Sequence, residues 1–169
     1  MGTPPGQECS NGTVLVLVAI LWLFFCRMTA THRRRVVVSL GSNIEPRHAS
    51  INKALDFLRT LHEGAAEKFR ASTVSETAPV DCAPETADFL NAVAAFESSL
   101  PAHSLLDALL AYEVANGRLA IREKNAPRTI DLDLLFCGDE RHDDERLVLP
   151  HPRIGERAFL QAMIDEVCA

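Results

Sequence analysis

The segment Asp88-Phe89-Leu90-Asn91-Ala92-Val93-Ala94-Ala95-Phe96-Glu97 alternates two sets of side chains with the two-residue period of an extended chain. Phe89, Asn91, Val93 and Ala95 face one way, and Leu90, Ala92, Ala94 and Phe96 the other. Upstream, residues 69–77 predict a second strand. Before it, Ile51, Ala54, Leu55, Leu58 and Leu61 recur at helical spacing, in a segment that Pro46 opens and Gly64 stops. Earlier still, Val36-Val37-Val38-Ser39-Leu40 is a β-branched run that ends at Gly41-Ser42-Asn43, as a buried strand entering a turn does.

Downstream, Pro101 sits where a first-turn proline is tolerated. Leu105, Leu106, Leu109, Leu110 and Val114 then mark a second helix ending near Asn116-Gly117. A polar, basic loop covers residues 118–128. Residues 129–136 predict a strand whose apolar face is Ile130, Leu132, Leu134 and Phe136, followed by a charged turn, Leu147 to Leu149, and a short helix from Gly155. Strand, helix, strand, strand, helix, strand is the split βαβ order. It predicts an α+β fold, a ferredoxin-like α/β sandwich (βαββαβ core) with an extra hairpin and a short C-terminal helix, over residues 35–169.

At 169 residues with 47% apolar content, the chain suits one domain of ordinary size. Its net charge of −6 argues against a general nucleic-acid binder, so any anion site is local. Five scattered cysteines with no C-x-x-C spacing argue against a disulfide framework or a structural zinc site and favour a reducing cytosol. Residues 1–34 stand apart as an apolar extension. The run 13–26, roughly 21 Å long as a helix, falls short of a ~30 Å hydrocarbon core. Only Glu8 is charged before it, whereas a signal peptide carries basic residues there; Arg27, Arg33, Arg34 and Arg35 follow instead. Two readings stand: a weak anchor that keeps the following domain in the cytoplasm, or translation starting at Met28.

Asp131 and Asp133, two apart on a strand, project from one face at ~6.6 Å spacing. At an effective dielectric of ~20 their repulsion is roughly 2.5 kcal/mol, which a hard cation such as Mg²⁺ removes. A solvated strand face has the same spacing. Arg118, Arg122, Lys124 and Arg128 precede the pair, and Arg146, His151, Arg153 and Arg157 follow it. A bound triphosphate accounts for both signs together, and so does a surface ion-pair network with Glu113, Glu123, Asp139, Asp143 and Asp144. The chain has no G-x-x-x-x-G-K-[ST] and no kinase glycine loop, so bound phosphates would rest on side chains and metal. Gly41-Ser42-Asn43 reads as a turn or as backbone N–H groups near a ligand. Phe89 and Phe159 fit an ordinary core, and His151 fits packing or phosphate contact.

Taken together, Leu40-Gly41-Ser42-Asn43, Glu76-Thr77-Ala78-Pro79-Val80, Phe89-Leu90-Asn91, Glu113-x-x-x-Gly117-Arg118, Pro127-Arg128-Thr129-Ile130-Asp131-Leu132-Asp133 and Leu149-Pro150-His151-Pro152-Arg153 resemble the 6-hydroxymethyl-7,8-dihydropterin pyrophosphokinase family, over about residues 36–167. The resemblance implies an enzyme of folate biosynthesis that moves the β,γ-pyrophosphoryl unit of ATP onto the pterin hydroxymethyl group and releases AMP. It implies that Asp131 and Asp133 bind two Mg²⁺ ions, and that Phe89 and Phe159 sandwich the pterin while Asn91 and the backbone of Thr77, Ala78 and Val80 bond its edge. Arg118 and Arg128 would grip phosphates, Glu113 would lie near the ribose, and Arg146, His151 and Arg157 near the phosphates. A monomer in the cytoplasm is expected, with membrane contact only through residues 13–26. Ala120 stands where the family commonly carries a second loop arginine, with Arg122 nearest, and Asn125-Ala126 where a bulkier residue is common. A catalytically silent nucleotide- or pterin-binding module and a membrane-tethered interaction protein are the alternatives.

Overall fold

A computed structural model describes residues 32–79, 86–118 and 127–169. Five strands, β1 (Arg34–Ser42), β2 (Arg70–Ala71), β3 (Ser75–Thr77), β4 (Phe89–Ser98) and β5 (Asp131–Cys137), form an antiparallel sheet in which β2 and β3 flank β4, followed by β1 and then β5. Helices α1 (Arg47–Leu61) and α2 (Ala102–Ala115) cover one face and α3 (Ala158–Cys168) the other. A hairpin of β6 (His142–Asp143) and β7 (Val148–Leu149) lies beyond β5. This is the expected ferredoxin-like α+β arrangement with its added hairpin and C-terminal helix.

The central strands are apolar on both faces because both faces are covered. Val36, Val38 and Leu40 of β1 pack with α1 and α2, while Val37 packs with α3. The alternation of β4 holds in the same way. Leu90, Ala92, Ala94 and Phe96 join the first cluster and Val93 and Ala95 the second, which leaves Phe89 and Asn91 half-buried on the α3 side. On α1 the predicted stripe buries Ile51, Ala54, Leu58 and Leu61.

Three local expectations change. Residues 69–77 divide into β2 and β3, with the register against β4 slipping by one residue between Ala71 and Ser75. The Ser72 hydroxyl causes the break by accepting the Val93 N–H at 2.9 Å, a bond that a ladder carbonyl would otherwise take. On α2 the buried stripe runs Leu105, Leu109, Glu113, so Val114, one position further round, is 61% exposed. On β5 the register against β1 shifts at Leu135, an unpaired bulge residue. Phe136 therefore packs on the α3 side with Leu135, instead of joining Ile130, Leu132 and Leu134 under α1 and α2. The Leu135 carbonyl accepts the His151 N–H at 3.0 Å, which ties the chain after the hairpin back to the bulge.

The turn after β5 depends on Gly138, whose φ is +56° and where a Cβ would meet the Arg34 side chain at 3.2 Å. Gly138→Ala should cost about 1–2 kcal/mol, read as a lower urea midpoint at unchanged slope. Among the described residues no helix is long and apolar enough to cross a membrane, and the apolar run 13–26 lies outside them.

Candidate active site

Helix α3 covers the second sheet face only in part. Leu160, Met163, Ile164 and Val167 pack on Val37, Val93, Ala95 and Leu135. Along the same face the strand register forms two rows: Asn91–Gly41–Asp131, beyond the helix, and Val93–Ser39–Asp133, whose Val93 end lies under α3. The two carboxylates thus point to the α3 side at neighbouring rungs, while Leu132 and Leu134 are buried in the opposite cluster. Gly41 keeps the floor between Asn91 and Asp131 open, since a Cβ there would lie 3.3 Å from Asn91 Oδ1 and 3.9 Å from the Phe89 ring.

Two cavities meet at the carboxylates. A slot of about 60 Å³ has Thr77, Ala78, Phe89, Asn91, Arg157 and Phe159 in its walls. A groove of about 370 Å³ runs the other way, between α2 and the hairpin, past Arg118, Arg146 and His151. Arg128, Asp131, Asp133 and Arg153 border both. In the slot, Asn91 Nδ2 donates to Thr77 Oγ1 at 2.8 Å, and the Arg128 guanidinium stands 5.7 Å from the centroid of the Phe89 ring.

Arg128 is aimed from both ends. Its Nη1 donates to Asp131 Oδ2 at 2.5 Å, while its backbone N–H donates to Asn43 Oδ1 at 2.7 Å and its carbonyl accepts the Asn43 N–H at 3.2 Å. Among the described residues, the buried Arg128 Nε, Ser42 Oγ and Asn43 Nδ2 find no partner. Arg153 Nη1 lies 3.5 Å from Asp133 Oδ2, and the Arg153 N–H donates to His151 Nδ1 at 3.2 Å. Burial, followed by the neighbouring Asp131 charge, pushes the Asp133 carboxyl above its usual range, against the opposing pull of His151, Arg153 and Arg157. Burial, with Arg153 and Arg157 adding to it, lowers the His151 imidazole, and Asp133 works the other way. A half-buried acidic pair whose charges oppose each other, with only oxygen donors, fits a hard divalent cation such as Mg²⁺.

Glu113 lines neither cavity and is 1% exposed. Its Oε1 accepts the Leu132 N–H at 2.7 Å and its Oε2 pairs with the Arg118 guanidinium, so one side chain orients both β5 and a groove cation. Arg146 reaches Asp107 on α2. Val80, Ala120, Arg122, Lys124, Asn125 and Ala126 lie outside the described residues. Two contributors escape the sequence reading of individual roles. Asn43 acts by holding the Arg128 backbone, and Arg153 faces Asp133; Leu40-Gly41-Ser42-Asn43 and Leu149-Pro150-His151-Pro152-Arg153 contain them, yet neither motif shows which atoms meet.

Comparison of the chain with known proteins identifies a family. The family model described as 7,8-dihydro-6-hydroxymethylpterin-pyrophosphokinase (HPPK) matches residues 37–169. The chain is 36% identical over 133 residues to the 2-amino-4-hydroxy-6-hydroxymethyldihydropteridine pyrophosphokinase of Bacillus subtilis (strain 168), covering 78% of this chain and 76% of that protein. It is 38% identical over 128 residues to the protein of the same name from Pseudomonas aeruginosa, covering 75% of this chain and 76% of that one. A "Folate synthesis bifunctional protein" of Arabidopsis thaliana is 34% identical over 143 residues, which are 85% of this chain and 29% of that protein. With the match running from the middle of β1 to the last residue, the chain belongs to the 7,8-dihydro-6-hydroxymethylpterin-pyrophosphokinase family.

Proposed function

We propose that this chain transfers pyrophosphate from ATP to the hydroxymethyl group of 6-hydroxymethyl-7,8-dihydropterin, giving the dihydropterin diphosphate and AMP in folate biosynthesis. The observation that carries the reading is the junction of a narrow aromatic slot with a cation-lined groove at Asp131 and Asp133. A flat heterocycle suits the slot and a triphosphate the groove, and only at the junction do the hydroxymethyl oxygen and a phosphorus meet.

In this reading Phe89 and Phe159 stack on the pterin, and Asn91, Thr77, Ala78 and Val80 bond its edge. Arg118, Arg128, Arg146, His151 and Arg157 hold the phosphates, Arg153 joins them beside Asp133, and Glu113 keeps Arg118 and β5 in place. Asp131 and Asp133 would hold two Mg²⁺ ions, which would supply positive charge to neutralise the phosphates. The protein's own work is positioning: the hydroxymethyl oxygen attacks the β-phosphorus in line and gives up its proton to water, the bond to the α-phosphate oxygen breaks, and AMP leaves with that oxygen. Residues 35–169 form the catalytic unit and residues 1–34 an extension. The enzyme works as a cytoplasmic monomer, with membrane contact only through residues 13–26.

Incubation with the dihydropterin alcohol, ATP and Mg²⁺, followed by nucleotide chromatography, should yield AMP in step with pterin consumed. ADP as product, or no AMP, would refute the proposal. Phe89→Ala should raise the pterin KM by about 10–100-fold, the worth of a stacked ring at ~1–3 kcal/mol, with a much smaller change in the ATP KM.

A further inference from the structure

The β6–β7 hairpin and the start of α2 bring together three metal-binding side chains that the reading above does not use. One ligand atom each of His103 (first turn of α2), His142 (β6) and Asp144 (hairpin turn) lies within 4.8 Å of the other two. Asp144 is held as a ligand needs to be. Its Oδ1 accepts the Arg146 N–H at 2.9 Å and the Leu147 N–H at 3.0 Å, and its Oδ2 stands 3.0 Å from His103 Nε2. Bonds of ~2.0–2.2 Å around one ion put neighbouring ligand atoms roughly 3 Å apart, so this contact has the spacing of two adjacent ligands.

The His142 ring meets His103 edge-on, with centroids 4.9 Å apart and planes at 76°. Its Nε2 lies 2.9 Å from Glu140 Oε2. With that N–H given to Glu140, Nδ1 carries the lone pair, which is the outer carboxylate support that metal-bound imidazoles have. Two ring nitrogens and one carboxylate suit a borderline cation such as Zn²⁺, Co²⁺ or Ni²⁺, whereas Mg²⁺ takes oxygen donors and belongs with Asp131 and Asp133.

We propose that His103, His142 and Asp144 bind one borderline divalent transition-metal ion, water completing its shell, and that this ion clasps the hairpin to α2. Arg146–Asp107 already ties the same two elements, and Arg146 and Leu147 line the nucleotide groove, so the clasp fixes one wall of that groove.

Calorimetric titration of the full chain with Zn²⁺, without nucleotide or Mg²⁺, should show uptake of one ion at these residues with a Kd on the order of micromolar. His103→Gln and His142→Gln should each weaken it by about tenfold or more while melting in EDTA as the parent does, and Asp131→Asn/Asp133→Asn should bind Zn²⁺ unchanged. Zn²⁺ should also slow amide exchange across residues 142–149. The proposal falls if no heat appears up to about 100 µM Zn²⁺, if both histidine variants bind as the parent does, or if binding vanishes with Asp131 and Asp133. Should a variant fail to melt as the parent does, the exchange pattern of the parent alone decides: protection confined to the hairpin and the first turn of α2 supports the clasp, and protection elsewhere overturns it.

Discussion

Asp133→Asn should lower AMP formation at least about a thousandfold, yet raise the melting temperature of the metal-free protein by about 3 °C. The loss follows from the position of Asp133, at the junction of slot and groove and on the same face as Asp131. In the proposed reaction an amide there would not supply the negative charge needed to hold a divalent ion against phosphates. The gain in stability follows from the same charge. Two carboxylates ~6.6 Å apart repel by roughly 2.5 kcal/mol at an effective dielectric of ~20, and the Arg128 and Arg153 contacts leave about 1 kcal/mol of that. Burial and Asp131 raise the folded-state pKa of Asp133, so folding favours its protonated form. The penalty of the ionised group is fully present above that raised pKa and absent below the ordinary value near ~4. Thermal melts in EDTA should therefore show the variant's advantage at pH 7–8 and its disappearance as pH falls towards 4. Near-parental turnover would overturn the metal assignment. A variant that melts below the parent at neutral pH would overturn the electrostatic account.

Glu113→Ala should cost about 3 kcal/mol in urea denaturation, the largest stability loss expected from a single polar change here. β5 ends the strand order of the main sheet, and Leu132 gives its N–H to Glu113 in place of another strand. Alanine leaves that buried donor without an acceptor and removes the Glu113–Arg118 ion pair. Glu113→Gln keeps an oxygen for Leu132 and loses only the charge, so its cost should be about half. Both variants remove the Glu113 carboxylate that orients the Arg118 guanidinium, so the ATP KM should rise in each, and more than the pterin KM does. A cost below about 0.5 kcal/mol for alanine would mean that water replaces the carboxylate.

Much of this molecule is readable locally. The two-residue period of β4 and the Ile51–Leu61 stripe on α1 depend on backbone geometry alone, so they survive in the folded protein, with Leu55 of the stripe only partly buried. The expected apolar face of β5 holds for Ile130, Leu132 and Leu134 and fails at Phe136, because a bulge depends on what the partner strand and the His151 N–H require. Val114 fails for a related reason: leucine spacing allowed more than one face of α2 to be buried, and the packed stripe passes through Glu113.

The sequence by itself determined the element types, the pairing of Asp131 with Asp133 on one face, and the family resemblance through its ordered motifs. Only the tertiary structure decided that Asn91, Gly41 and Asp131 share one row, that Asn43 holds the Arg128 backbone, that Arg153 faces Asp133, and that Glu113 is buried. Periodicity is a property of consecutive residues in one chain segment. Lateral register and burial are set by contacts between segments far apart in the chain, where competing backbone and side-chain partners are resolved together.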